Sequence, residues 1–442
     1  MSVPQNQLVR VQTYQKAELA VMQNENVHID VSNKKLKDFN DKTAQLGDSV
    51  TFDLTPRYVS YRGLGPVTQQ PSNQRFQTLA CTQSLNVTSA FSEQQFIFNV
   101  RDYMDRFGIG AIAELGSDCE TDVALNWVTG VTVNSPDHAD FGLRQTDSGP
   151  FRFFGDGVSA INSFQQLDQT IRNFQDFGAA KHDLKMFLPS TYISQIVGSG
   201  LNQFAQDRNN ELANKWRLGR VGVCEVYESN QMPEHISGTI GDAASPNNIL
   251  TVVSVNDPTG ANVTEITCTE PTSGTDPDAI VIGDMFQFVD SASYARLRFL
   301  KFIGHKPSAQ KVQMVSTANR GTTAGTVVIK IRTTNEVGLC WQAGNANQNL
   351  NAAIAAGMQI QVMPSHKAGG LMSGNPLYLA MPRRAQMTPY PSVSETDKDT
   401  GASIQHYWGV LFGQNNMSYV RTALWGSTMV PENSMRMLFP LY

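Results

Sequence analysis

The sequence is short of charge, of paired cysteines and of long apolar runs, and each shortage excludes something. Charged residues make up 17% of the 442 and balance at −5 at pH 7, against roughly 25% charged in an average globular chain. A dedicated nucleic-acid binder carries a basic stripe that neutralises phosphates, and this balance argues against one. The five cysteines, Cys81, Cys119, Cys224, Cys268 and Cys340, are odd in number and far apart. With no CxxC, neither a zinc ribbon nor a disulfide framework is indicated, and buried free thiols in a reducing compartment are expected. No apolar run reaches spanning length and MSVPQNQLVRVQ holds no apolar signal core, so neither export nor a membrane is expected.

Catalytic patterns are missing as well. The seven histidines form no HxH or HxxxH pair, Gly198-Ser199-Gly200 is no GxSxG elbow, and no Walker lysine follows a glycine-rich loop. No catalytic, cofactor-binding or metal-ligating residue is assigned, no cofactor is expected, and the chain is read as a non-enzyme. A triad assembled from distant residues is the one arrangement that sequence leaves open. Gly108-Ile109-Gly110-Ala111-Ile112-Ala113 matches a relaxed GxGxxA fingerprint. It lies inside a helical apolar stripe instead of following a strand, so it is rejected as a dinucleotide site. Asp276, Asp278 and Asp284 flank an apolar run, and turn chemistry accounts for them better than a calcium loop does.

In place of charge the chain carries amides. Asn and Gln are spread along nearly its whole length. Such faces suit large protein–protein contacts, where burying ions is costly, or simply an ordinary polar surface. A chain of this length holds two or three domains.

The clearest stretch is 185–241. An apolar strand over 184–188 is cut off by Pro189, and Ser190 stands where a helix cap belongs. A very polar helix with Leu201, Phe204, Leu212 and Trp216 follows, then a strand over 221–227. Upstream, Val158, Ile161, Phe164, Ile171 and Phe174 mark an amphipathic helix expected to pack on the 184–188 strand. Before it, a helix is expected from Ser92 with Gln95 at capping-box spacing. Val100, Met104, Phe107, Ala111 and Leu115 form its stripe. It should break near Gly116 and restart at Ser117 with Glu120, continuing through Val123 and Trp127.

Phe187-Leu188-Pro189-Ser190 before a helix, Gly219-Arg220-Val221-Gly222-Val223 running into Val226-Tyr227-Glu228-Ser229, Gly47-Asp48-Ser49-Val50, Asp399-Thr400-Gly401 and Val430-Pro431-Glu432 are short, but their order spans 45–442. In that order the chain resembles the major capsid (coat) proteins of tailed double-stranded DNA phages. The resemblance is to the podovirus type, which carries a β-barrel inserted in the Hong-Kong-97-type fold. It implies an α+β fold divided into an N-terminal arm (1–40), an extended β-hairpin loop region (41–90) and a peripheral domain with a spine helix (91–150). An axial α/β domain (151–229), an inserted β-barrel-like domain (230–365) and a return to the axial and peripheral domains with a C-terminal β-hairpin (366–442) follow.

The function implied is structural: self-assembly into hexamers and pentamers of an icosahedral shell, in a virion assembled in the host cytoplasm. The partners implied are other copies of the chain, a separate scaffolding protein, a portal protein, and packaged DNA enclosed without sequence-specific binding. A shell of the same fold around protein cargo, and a β-rich enzyme or glycan-binding protein, are the alternatives.

The remaining text fits these parts. Ala17 to Met22 allows a helical turn or two, and the lysines in Ser32-Asn33-Lys34-Lys35-Leu36-Lys37 are either solvated or set against DNA or an acidic partner. Val50, Phe52 and Leu54 alternate as a strand does, and the Gly/Pro-rich text after Pro56 reads as a long loop. The resemblance implies that this loop lies over an adjacent subunit; a surface excursion is the plain alternative. Six β runs, 249–255, 263–268, 279–289, 311–316, 327–333 and 358–363, alternate with turn clusters and suggest a small barrel or sandwich. Two strands, 403–412 and 417–425, are joined by Gly413-Gln414-Asn415-Asn416 as a hairpin. The apolar ending VPENSMRMLFPLY must be buried in the fold or against a neighbour, and the loop and tail are expected to complete their burial only when copies close into a shell.

Overall fold

In the computed structural model the described residues are 26–33, 43–44, 48–60, 74–92, 109–133, 143–145, 148–178, 182–198, 217–244, 246–270, 276–291, 293–294, 296–301, 304–323, 325–333, 338–384, 392–396, 403–410 and 416–441. They form a strand-rich α+β molecule with few helices: α1 (Val27–Val31), α2 (Ile109–Thr129), α3 (Phe164–Asp176) and α4 (Ser190–Gly198).

The Leu184–Pro189 strand is buried along its whole length, as an apolar run covered on both faces should be. It is central to a seven-stranded mixed sheet. The order is Phe153–Phe154, Ser434–Phe439, His366–Ser373, Leu184–Pro189, Cys224–Ser229, Arg217–Val221, with Glu234–His235 paired to His366–Ser373. Successive side chains of a strand point to opposite faces, and the two covers follow that alternation. Leu184, Met186, Leu188 and Leu371 pack with Leu167, Ile171 and Phe174 of α3 and Ile193 and Ile196 of α4. Phe187, Ala368 and Met372 pack with Leu115, Val123 and Trp127 of α2. At Gly370 a Cβ would come within 2.1 Å of the Trp127 ring, so only glycine lets α2 lie this close.

The predicted packing of a helix on the 184–188 strand is present, but α3 starts later than the periodicity suggests. Ser163 and Gln166 form a complete capping box, while Val158, expected on the helix, is 70% exposed in the preceding turn. The strand expected over 221–227 is two. Gly222, at φ +60°, turns Arg217–Val221 back onto Cys224–Ser229. Nor does α2 break at Gly116. It runs unbroken from Ile109 to Thr129, because Gly116 is buried among packed neighbours and costs only about 1 kcal/mol in an otherwise favourable helix. Ser92, expected to cap that helix, ends the Gln83–Ser92 strand. The polar helix expected over 201–216 and the stripe residues Val100, Met104 and Phe107 lie outside the described residues.

A second sheet has the order Leu377–Ala380, Asn416–Met429, Ser403–Val410, Ser392–Thr396, with Gln83–Ser92 also on Asn416–Met429. The expected C-terminal hairpin is in it, in the register Val410↔Met417. Its long strand is 14 residues and carries Gln83–Ser92 over one part and Leu377–Ala380 over another.

Between the two passages of the central sheet, the chain closes a barrel in the order Ile249–Val255, Glu265–Thr269, Thr326–Arg332, Gln313–Ser316, Met285–Phe288, Gln359–Val362. Each of the six β runs of the sequence contributes one strand. Alternation supplies the interior: Leu250, Val252, Ile266, Cys268, Val327, Ile329 and Ile360 face one core.

The tail is buried in the fold, one of its two expected places, and does not wait for copies to close into a shell. Ser434–Phe439 is a wholly buried strand between His366–Ser373 and Phe153–Phe154 of its own chain, so no neighbour is needed to bury it. Residues 26–33, within the span expected to form an arm, also fold inward. Val27, Ile29 and Val31 of α1 pack in the core beside α2.

Candidate functional site

Among the described residues no catalytic constellation emerges, and the candidate features are a two-stranded hairpin and the buried charges that hold it. Ser49–Leu54 and Arg75–Ala80 pair antiparallel, Val50 opposite Leu79 and Leu54 opposite Arg75. On the inner face Val50 and Phe52 pack with Leu79, Tyr378, Ala380 and Leu424, with the Phe52 and Tyr378 rings 4.3 Å apart. On the outer face, Phe76 opposite Asp53 is 51% exposed, and Tyr58 beyond the strand is 56% exposed. The text between them, 61–73, lies outside the described residues.

The loop end of the hairpin ladder, beyond the Leu54–Arg75 pair, holds an ionic clamp. Glu432, buried in the short turn Pro431–Asn433, accepts from Arg57 Nη2 at 2.9 Å and from Arg75. Arg152 Nη2 donates to the backbone oxygens of Glu432 at 2.8 Å and Ser434 at 3.3 Å, and its guanidinium lies over the Phe177 ring at 4.2 Å. Burial pulls the Arg57 guanidinium down to about 10 and Arg152 to about 9, with Glu432 opposing both shifts. Gln77 Nε2 donates to Thr428 Oγ1 at 2.7 Å. The hairpin is thus pinned, where its strands run into the connecting loop, to the turn that precedes the C-terminal strand. Val430-Pro431-Glu432, one of the short runs that carry the resemblance, holds a buried carboxylate whose guanidinium partners lie more than 350 residues away. No local pattern could have found them.

A second clasp holds the first described residues. Glu120 of α2 accepts from the backbone N of His28 at 2.6 Å and of Ile29 at 3.0 Å. It does for α1 what an N-terminal side-chain cap does. His28 is fully buried, with Trp127 Nε1 donating to its Nδ1 at 3.1 Å and Phe187 stacked on it at 4.7 Å. Phe187 stacks in turn on Tyr227 at 5.3 Å. Glu120, expected to cap its own helix, therefore caps another. Beside it lies a polar cavity of about 360 Å³ that Glu114, Glu120 and Glu228 border. Such a face repels phosphate.

The other candidates resolve as follows. Ile109 and Gly110 are already helical, and the fingerprint's Gly108 lies outside the described residues. Asp276 accepts from the backbone N of Asp278 at 3.0 Å, which is turn chemistry. Asp284 is elsewhere and is more than a turn residue: fully buried, it receives His235, Ser237 and two backbone N–H groups. Here Ser, His and Asp do meet, but Ser237 donates to the carboxylate and not to His235, so the hydroxyl lacks the base a nucleophile needs. Among the described residues no group of three His, Cys, Asp or Glu could hold a metal ion. All five cysteines are free and buried. Burial pushes Cys81 and Cys268 up to about 12, far from thiolate reactivity.

The solved structures this chain is similar to include phage capsids. The capsid of Ralstonia phage GP4 covers 92% of this chain and 87% of its own at 9% identity and a TM-score of 0.41. The capsid of the cyanophage P-SCSP1u covers 92% and 88% at 8% identity and 0.38. The mature capsid of bacteriophage PhiM1 covers 93% and 88% at 9% identity and 0.36. At these identities and TM-scores the superposition is loose. No family model and no curated protein matches the sequence.

Proposed function

We propose that this chain is a major capsid protein of the Hong-Kong-97 type, a structural subunit that assembles with copies of itself into an icosahedral shell around packaged double-stranded DNA. A separate scaffolding protein and a portal protein complete the assembly, and its place is the virion. What supports this most is the barrel spliced into one sheet. Glu234–His235 just before the barrel and His366–Ser373 just after it pair in the same central sheet, and the sequence resemblance is to coat proteins bearing such an insertion. In this reading α2 is the spine helix, the central sheet with α3 and α4 the axial domain, the second sheet the peripheral domain, and 249–362 the inserted barrel.

The mechanism is additive. A standard interface buries about 1,600 Å² in total, and its affinity alone ranges from micromolar to picomolar. A subunit that touches several neighbours gains avidity, because each contact raises the effective concentration for the next. Weak single contacts let misplaced subunits leave while the closed shell persists. Phe76 and Tyr58, exposed on the outer side of the hairpin, are surface that a neighbour would cover. The acidic cavity border fits a wall that confines DNA without gripping it.

Electron micrographs and sedimentation of purified chain, co-expressed with an assembly partner, test the proposal. Closed particles enclosing nuclease-protected DNA are expected. Particles holding protein cargo and no DNA would place the chain among compartment shells, and a monomer or small oligomer under every condition would overturn the proposal.

A further inference from the structure

The chain passes between the central sheet and the barrel twice, and both passages meet in one buried polar knot. On entry Glu234–His235 pairs with the strand that leaves, Glu234 opposite Lys367 and His235 opposite His366. The two imidazole rings are 5.3 Å apart. His235 Nε2 lies 2.8 Å from Asp284 Oδ1, so Nε2 carries the hydrogen and Nδ1 is bare. The same carboxylate accepts from Ser237 Oγ at 2.8 Å, Gly238 N at 3.3 Å and Val281 N at 2.7 Å.

His366 Nδ1 is 2.7 Å from the Pro364 oxygen, which places its hydrogen there and leaves Nε2 buried without a partner. Arg436, fully buried on the neighbouring strand, donates Nη1 to the Gly283 oxygen at 3.1 Å. Its Nε and Nη2 have no partner. Asp242 closes the outer side, accepting from Ser365 N at 2.7 Å and Ser365 Oγ at 2.8 Å. Lys367 and Glu234 pair at 3.0 Å at the surface end.

We propose that this knot is an acid-operated latch: protonation of His366 and His235 parts the two passages and loosens the barrel root from the central sheet. At neutral pH the knot holds one guanidinium, one inner carboxylate and two neutral rings. A proton on His366 creates an N–H at Nε2 with no acceptor, beside the Arg436 cation. A proton on His235 adds another buried charge that Asp284, already accepting four hydrogen bonds, cannot neutralise alone.

Burial, then Arg436 and His235, hold His366 well below its ordinary value. Burial lowers His235 too, with Asp284 and Asp242 opposing and Arg436 assisting. The parted state, open to water, takes up protons near pH 6.5 and the closed state does not. The opening constant therefore rises as pH falls below about 6.5, by up to about tenfold per pH unit for each ring. Parting stays local. The barrel keeps its own ladders and remains tied by Gln313 to Phe153 and by Arg332 to Ser148.

Hydrogen exchange of the full chain between pH 7.5 and 5.0, scaled for the intrinsic pH dependence of exchange, tests the latch. Opening of 234–242 and 364–368 is expected to rise more than tenfold over that range, while 184–189 stays closed. His366→Asn keeps a donor for the Pro364 oxygen and should remove one ring's share, about tenfold per pH unit below 6.5. His235→Gln keeps a donor for Asp284 and should remove the other; His28→Gln, in a different core, should leave the slope alone. A wild-type slope of zero, or one unchanged in both latch variants, overturns the proposal. If neither variant folds, histidine-ring NMR of the wild type decides. Rings that titrate at 6.5 or above while both passages stay protected overturn the latch, and rings that charge only as protection is lost support it.

Discussion

Glu432 ties Arg57 and Arg75 of the hairpin to the turn before the C-terminal strand. It faces two guanidinium groups in a place where water does not reach them. Removing one partner of such a cluster is costly because the other is left charged and buried. Glu432→Gln is expected to lower unfolding stability by about 3–5 kcal/mol, read from urea denaturation, and to increase exchange first in 49–54 and 75–80.

Asp122 works in the other direction. Burial first, and Asp118 one helical turn away second, push its carboxyl up to about 6. Because the folded value lies above the unfolded one, the charged form costs stability above pH 6, and the cost fades as pH falls towards 4. Asp122→Asn should stabilise the chain by about 1–3 kcal/mol at pH 7 and by nothing measurable below pH 4. Thermal melts at the two pH values check the sign.

At the scale of elements, α3 shows how local text and tertiary context divide the work. Ser163 Oγ accepts from Gln166 N at 3.3 Å, while Gln166 Oε1 accepts from Ser163 N at 3.3 Å. The apolar stripe was legible, but its start was placed at Val158, because periodicity alone does not distinguish a helix from the turn that leads into it. Ser163→Ala is expected to cost about 1 kcal/mol, with the loss seen in denaturant midpoint and in exchange of 164–167.

The barrel strands were legible for the opposite reason. Each of the six runs is short, rich in apolar β-formers and bounded by turn residues, and closure only joined them. Asp284 was not legible as a hub, since its donors come from residues 235–238 and from its own turn, brought together by the barrel's entry strand.

Across the whole molecule, the tail and the 26–33 segment bury their apolar residues within the chain, so the surface left for neighbours is narrower than the sequence suggested. Among the described residues, Phe76 and Tyr58 on the hairpin belong to what stays exposed. Deleting 62–73, which leaves Arg75 and its pairing with Leu54 in place, is expected to leave a folded subunit that forms no closed particles. Circular dichroism and sedimentation together read the two halves of that expectation. A normal yield of shells would remove the role given to the loop.

The sequence by itself determined the things that depend on near neighbours along the chain. These are the apolar 184–188 strand stopped by proline, the six barrel runs, the C-terminal hairpin, the free thiols and the missing catalytic motifs. Only the tertiary structure decided which distant groups share a buried site: Glu432 with Arg57 and Arg75, Glu120 with α1, Asp284 with His235, and the tail strand inside its own sheet. The reason is physical. Periodicity and turn chemistry act over a few residues, whereas a buried charge is satisfied by whatever the fold brings within about 3 Å, however far away it lies in sequence.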